Sequence, residues 1–220
     1  MRLRIVLASA SPRRHEILAK HGVCPLVLPS DAEESLPEGI CAAGARAVVE
    51  YLAERKARAV GAMLAAGRLQ DSAAPDEPGL PCGETLPDVL LAADTIVYDG
   101  GIIGKPVDEE DAFRILASLR GGTHEVWTGV TLLRWTTGEE HTFSEVTRVT
   151  FGDFSDEDIR SYVRRERPFD KAGAYAIQSD WGRHVLSVDG DYENVMGLPW
   201  AAVEQALRGF GCCGNEIAPI

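Results

Sequence analysis

No stretch of the 220-residue chain approaches the roughly 18 uninterrupted apolar residues of a membrane span. The first residues also lack the charged, apolar and small-residue succession of a secretory leader. These two absences predict a cytoplasmic protein with no membrane partner. Basic charge is scarce, with 22 Lys and Arg against 34 Asp and Glu and a formal charge of −12, which repels nucleic-acid backbones and anionic lipid. A small anionic substrate therefore needs a local cation cluster or a metal ion. Five cysteines, at 24, 41, 82, 212 and 213, form no C-x-x-C pair, which argues against a disulfide framework and a zinc site. The adjacent Cys212 and Cys213 read as incidental thiols of a tail. Histidines at 15, 21, 124, 141 and 184 show no ligand spacing, and no Ser/His/Asp arrangement stands out. The glycine fingerprint of dinucleotide folds and the phosphate loop Gly-x-x-x-x-Gly-Lys-[Ser/Thr] are both missing.

What the chain does have is apolar material: 45% hydrophobic residues suffice for the core of a single domain over 1–220. There is no internal repeat. The pattern predicts a strand over Leu3 to Ala8, a helix from Pro12 to His21 and a short strand at 25–29. A long Ala-rich helix follows over 42–66. Residues 68–88 turn Pro-, Gly- and acid-rich and read as a surface insertion, inert or serving as a lid, and 209–220 as a flexible tail. An apolar strand at 89–93 continues through Tyr98 into a hairpin with Ile102-Ile103-Gly104. Next come a helix headed by Asp108-Glu109-Glu110-Asp111, two long strands at 125–135 and 140–151, and a helix capped at Ser155 that runs to Arg165. A strand at 184–188 and a last helix over 199–207 complete the reading. Helices interleave with strands, yet the 125–151 hairpin is antiparallel. A mixed sheet with helices around it is the α/β architecture expected.

Ser9-Ala10-Ser11-Pro12-Arg13-Arg14 places two hydroxyls and two guanidiniums where the first strand hands over to the first helix. Pro12 suits the first helical position and Ser11 the N-cap. Such a helix start points amides and a positive dipole end at the loop, which favours phosphate. An ordinary cap with two solvated arginines fits the stretch equally. Asp94 is placed at the end of the apolar run 89–93, where open α/β sheets set their ligands. A carboxylate there can bind a divalent cation or take a proton from water, or it can cap a turn. Lys105 in Gly104-Lys105-Pro106 and Lys56 on the long helix could reach a phosphate, although surface lysines are common. Glu33 and Glu34 could complete a metal site with Asp94 or form a solvated acidic loop. His124 reads as structural, and Tyr175, Trp127 and Trp181 as core aromatics before base-stacking ones.

Taken together, Leu7 to Arg14, Ala93-Asp94-Thr95, Gly104-Lys105-Pro106, Asp170 to Gln178 and Gly190 to Pro199 resemble the Maf family of nucleoside triphosphate pyrophosphatases. Glu54 to Ala59 and Gly122 to Val126 resemble family segments as well. The resemblance implies an elongated mixed α/β fold, related to the inosine-triphosphate pyrophosphatases, with a cleft over the sheet, and often a homodimer. It implies cleavage of a nucleoside triphosphate to monophosphate and pyrophosphate with Mg²⁺ or Mn²⁺. Asp94 would be the general base, Ser9, Arg13, Arg14, Lys56 and Lys105 would surround the phosphates, and Glu34 and Asp94 would lie near the metal. Arg13, Thr95 and Gln178 resemble the branch acting on dTTP and UTP rather than the methylated-GTP branch. Ser179-Asp180-Trp181 departs from the glycine expected after Gln178. Because the family name is associated with septum inhibition, a nucleotide-binding regulator of cell division without turnover is the alternative.

Overall fold

The computed structural model describes residues 4–32, 35–67 and 88–210. Glu33, Glu34, most of the 68–88 insertion, the tail from 211 onward, and Cys82, Cys212 and Cys213 lie outside the described residues. Asp88, at the end of the insertion, is ion-paired with Arg134. Gly209 closes the last helix, and Phe210 after it is buried in the core.

Seven strands form one mixed sheet. β1 (Arg4–Leu7) pairs in parallel with β2 (Cys24–Val27) and with β3 (Val89–Tyr98). β4 (Ile102–Ile103), β5 (Thr123–Arg134), β6 (Glu139–Phe151) and β7 (Val185–Asp189) add antiparallel pairings. The order is β2-β1-β3-β5-β6-β7, with β4 attached to β3. β1 reads as a continuous apolar run because helices cover both of its faces. Alternation sends Ile5 and Leu7 into one core and Val6 and Ala8 into another. The first core is closed by α1 (Pro12–Lys20) and α6 (Trp200–Gly209), through Ile17, Leu18, Val203 and Leu207.

The opposite face is covered by α2 (Ala45–Ala65), which follows a short 3₁₀ turn at Ile40–Ala43. Ala53, Ala57 and Gly61 recur every four residues along it, so its backbone can lie close to the sheet. At Gly129 of β5 the approach is tightest: a Cβ there would stand 2.3 Å from the Val49 carbonyl oxygen. A third core gathers α3 (Glu109–Leu119) and α4 (Asp156–Glu166) around Phe151, Tyr162 and Trp181. Both helices start as their sequences predict. Asp108 accepts from the Asp111 amide at 2.7 Å, and Ser155 and Asp158 form a reciprocal capping box.

One expectation changes, and one element is added. Asp94 stands inside β3, opposite Gly129, not at a strand end, because Thr95 to Tyr98 keep pairing with β5 beyond it. A five-residue helix, α5 (Tyr192–Met196), lies between the strand at 184–188 and the last helix, where the sequence pattern assigns no element. Asp191 caps it by accepting from the Glu193 amide at 2.7 Å.

Candidate active site

The cleft sits in a notch of the sheet. Along one edge of β3, β1 pairs at Leu90 and Leu91 and β4 at Val97 and Tyr98. Among the described strands none pairs with Ala92 to Ile96 on that edge, so both faces of β3 open into one cavity there. Its volume is about 340 Å³, within the usual range for small-ligand sites. Asp94 and Thr95, successive residues on opposite faces, both line it.

On the α2 face Asp94 is ion-paired with Lys56 through Oδ1, and the two side chains are only 11% and 13% exposed. The close approach of α2 at Gly129 brings Lys56, two turns along from Val49, onto Asp94. On the α1 face, Arg14 ties three segments together. Its Nε donates to the Gly197 carbonyl at 2.8 Å, Nη1 to Ser9 Oγ at 3.0 Å and Nη2 to Thr95 Oγ1 at 3.0 Å. Gly197 has φ of 109°, which an L side chain rarely adopts, and lies directly over this guanidinium. α5, which precedes it, is tied to the end of α1. Lys20 and His21 both bond Glu193, at 2.8 and 3.0 Å. Partial burial would raise the Glu193 carboxyl, but these two partners outweigh it and hold the group below its ordinary value.

Ser11 occupies the cap position of α1, yet its hydroxyl does not cap the helix. Its own amide donates to Ser9 Oγ at 3.2 Å. Among the described residues no side chain therefore caps the first turn of α1, whose residues Pro12, Arg13 and Arg14 line the cleft. Arg13 lies 3.7 Å from Asp170, and Lys171 bonds Asp170 at 2.6 Å. Lys105 and the exposed Gln178 also line the cavity. The described lining carries five cationic side chains, Arg13, Arg14, Lys56, Lys105 and Lys171, against the carboxylates Asp94 and Asp170. The local cation cluster that so acidic a chain needs for an anionic ligand is present. The same cavity also has apolar lining, from Val97, Val126, Tyr175, Val195 and Met196.

Ser9, Arg13, Arg14, Lys56, Asp94, Thr95, Lys105 and Gln178 thus share one cavity; Glu34 is outside the described residues. Sequence reasoning missed Thr128 and gave Asn194 no role. Thr128 Oγ1 is 3.0 Å from Thr95 Oγ1 and donates to the Asn194 carbonyl at 3.1 Å. Thr128 is one threonine among many in β5 and β6, so nothing local marks it, whereas Asn194 falls within the Gly190 to Pro199 motif. His124 and Tyr175 are hydrogen-bonded at 2.8 Å behind the apolar wall. Burial pushes the His124 imidazole down to about 4 and the Tyr175 phenol up. Trp181 is fully buried, in keeping with a core role.

No cluster of three or more His, Cys, Asp or Glu occurs among the described residues. The donor set at Asp94 suits a hard cation held partly by substrate. One carboxylate oxygen faces Lys56, and Mg²⁺ commonly takes one or two protein carboxylates, with phosphate and water supplying the rest.

Sheet, notch and cleft define a mixed α/β protein whose cavity lining combines a cluster of cations with apolar side chains. The chain belongs to the Maf family: the pattern described as Maf-like protein matches residues 4–210. Curated relatives cover nearly its whole length. It is 44% identical over 215 residues to a dTTP/UTP pyrophosphatase of Geobacter sp. (strain M21), spanning 96% of this chain and 97% of that one. Identity to the dTTP/UTP pyrophosphatase of Agathobacter rectalis is 42% over 214 residues, 94% of this chain and 98% of the relative. To the Carboxydothermus hydrogenoformans dTTP/UTP pyrophosphatase it is 37% over 210 residues, 95% and 100%. No described helix is long and apolar enough to cross a membrane.

Proposed function

We propose that this protein hydrolyses dTTP and UTP, and modified pyrimidine triphosphates of the same shape, to the monophosphate and pyrophosphate. The observation that carries the reading is the cleft itself, with the Lys56–Asp94 pair and a lining that combines five cationic side chains with an apolar wall. The names of the relatives agree with it. The base lies against the apolar wall near Thr95 and Gln178. The triphosphate runs toward the start of α1, where Ser9, Arg13 and Lys105 meet its oxygens. Arg14 adds positive charge there while its hydrogen bonds go to the protein.

Asp94 accepts the proton of a water molecule as the water oxygen bonds to phosphorus. The bridging bond between the α and β phosphates breaks, and pyrophosphate leaves with the negative charge. Lys56 holds Asp94 in orientation through their ion pair, and the cations offset the charge that gathers on the leaving group. A divalent cation, Mg²⁺ or Mn²⁺, held by Asp94 with Glu34 and the phosphates, would supply further charge neutralisation. The reading carries with it a cytoplasmic nucleotide pool as the place of action and the homodimer common in the family. The regulator without turnover has no observation in its favour.

Incubation with dTTP or UTP and Mg²⁺ or Mn²⁺ is expected to give monophosphate and pyrophosphate in equal amounts. Diphosphate with inorganic phosphate, or no turnover with either metal, would overturn the proposal.

A further inference from the structure

α1 is tied to α5 at both of its ends, and α5 is the fixed partner. Asn194 of α5 is fully buried, and its side-chain amide donates to the Val126 carbonyl and to Thr147 Oγ1, both at 3.0 Å, while its own carbonyl accepts from Thr128 Oγ1 at 3.1 Å. These bonds bolt α5 to β5 and β6. At the cleft, the Gly197 carbonyl just after α5 accepts from Arg14 Nε at 2.8 Å. At the other end, Glu193 takes Lys20 Nζ at 2.8 Å and His21 Nε2 at 3.0 Å on one oxygen, Oε1. Lys20 stands about 9 Å beyond Arg14 along α1.

Side chain and main chain of Glu193 serve the two ties separately. A carboxylate only accepts, so His21 carries a proton on Nε2, and its ring stacks on Trp200 with centroids 4.8 Å apart and planes 12° from parallel. Trp200 is buried at the head of α6, so turning the imidazole away breaks that stack. The Glu193 carbonyl accepts from the Leu198 amide at 3.0 Å and closes the turn that presents Gly197. One residue thus grips the end of α1 and shapes the seat of Arg14. The first turn of α1 has no side-chain cap among the described residues, so its placement depends on ties elsewhere along the helix.

We infer that Glu193, clasping Lys20 and His21, is a positioning residue that holds α1 in register on α5 and so fixes the Arg14 guanidinium at the cleft. The inference rests on the pyrophosphatase reading and deepens it. Arg14 gives its hydrogen bonds to the protein and acts on the departing pyrophosphate through charge, whose worth depends on where the guanidinium stands. A helix freed at its far end lets that charge drift, and a shift of about 1 Å is enough to slow the chemistry. Binding, shared with Lys105 and the rest of the lining, changes less.

The experiment measures kcat and KM for dTTP in Glu193→Leu, Glu193→Gln and His21→Phe, each with and without Arg14→Lys, with thermal melts to verify folding. Glu193→Leu is expected to lower kcat about tenfold and to move KM by less than about threefold. Glu193→Gln keeps Oε1 as acceptor for both partners and is expected to restore most of kcat. With Arg14→Lys already present, Glu193→Leu is expected to cost less than about twofold in kcat, because lysine does not take the three-way seat that the clasp serves. A residue that only stabilises the fold costs the same in both backgrounds, so additive losses overturn the inference. So does wild-type kcat in a folded Glu193→Leu or in Arg14→Lys. If Glu193→Leu fails to fold, His21→Phe, which keeps a ring on Trp200 but loses the bond to Glu193, is read in its place by the same two criteria. If Arg14→Lys abolishes turnover, Glu193→Gln decides: a kcat as low as that of Glu193→Leu overturns the inference. A wild type that does not cleave dTTP overturns the pyrophosphatase reading first and this one with it.

Discussion

Lys56 and Asp94 face each other almost out of water, and that geometry suits a general base. A carboxylate oriented by an ammonium in this way can draw a proton from a nearby water as negative charge builds on the departing phosphates. His124 plays a different part. It is 1% exposed, and its imidazole is held down to about 4 by burial. Unfolding releases it toward 6.5, so the unfolded chain binds the extra proton. Its contribution is complete above about 6.5 and is lost as pH falls toward about 4, by ~3 kcal/mol. Melting temperature is therefore expected to fall across that window in wild type, and the difference from His124→Gln to shrink with it. Parallel pH profiles for the two proteins would show that His124 takes up its proton without cost. Ser9, Arg13, Arg14 and Asp94 could be found in sequence because each lies in a short stretch whose residue types already suggest its chemistry. Thr128 could not, because it meets Thr95 only through the register of β3 on β5.

Among the elements, α2 sets the precision of the site. Val49 of α2 crosses Gly129, the residue opposite Asp94 in register, and Lys56 hangs from the same helix two turns on. A methyl at Gly129 would meet backbone rather than a yielding side chain. Gly129→Ala is expected to lift α2, to destabilise the fold by about 1–3 kcal/mol, and to lower turnover by loosening the Lys56–Asp94 pair. A variant with wild-type melting temperature and turnover would refute the close approach. The long helices and strands were legible because their apolar periods persist over many residues, as in α2 and β5. α5 was not, since five residues make little more than one turn and show no period. Nor was the notch at Asp94: the sequence shows an apolar strand running on to Tyr98, but where β1 stops beside it depends on pairing between distant segments.

At the scale of the whole molecule, charge is divided unevenly. The chain carries a formal charge of −12, yet its described cleft lining gathers five cations against two carboxylates. An acidic exterior discourages nucleic acid and membrane, while the local cluster admits a small polyanion. Composition alone required such a cluster or a metal; the fold builds the cluster by bringing α1, α2 and the loops after β4 and α4 to one notch. Asp94→Asn with dTTP tests most directly whether turnover passes through that notch, with turnover and nucleotide binding measured on the same preparation. Turnover is expected to fall by roughly 10²–10⁴-fold, as for a lost general base, while dTTP still binds saturably. A folded variant that hydrolyses dTTP at the wild-type rate would contradict the assignment of the chemistry to this cleft.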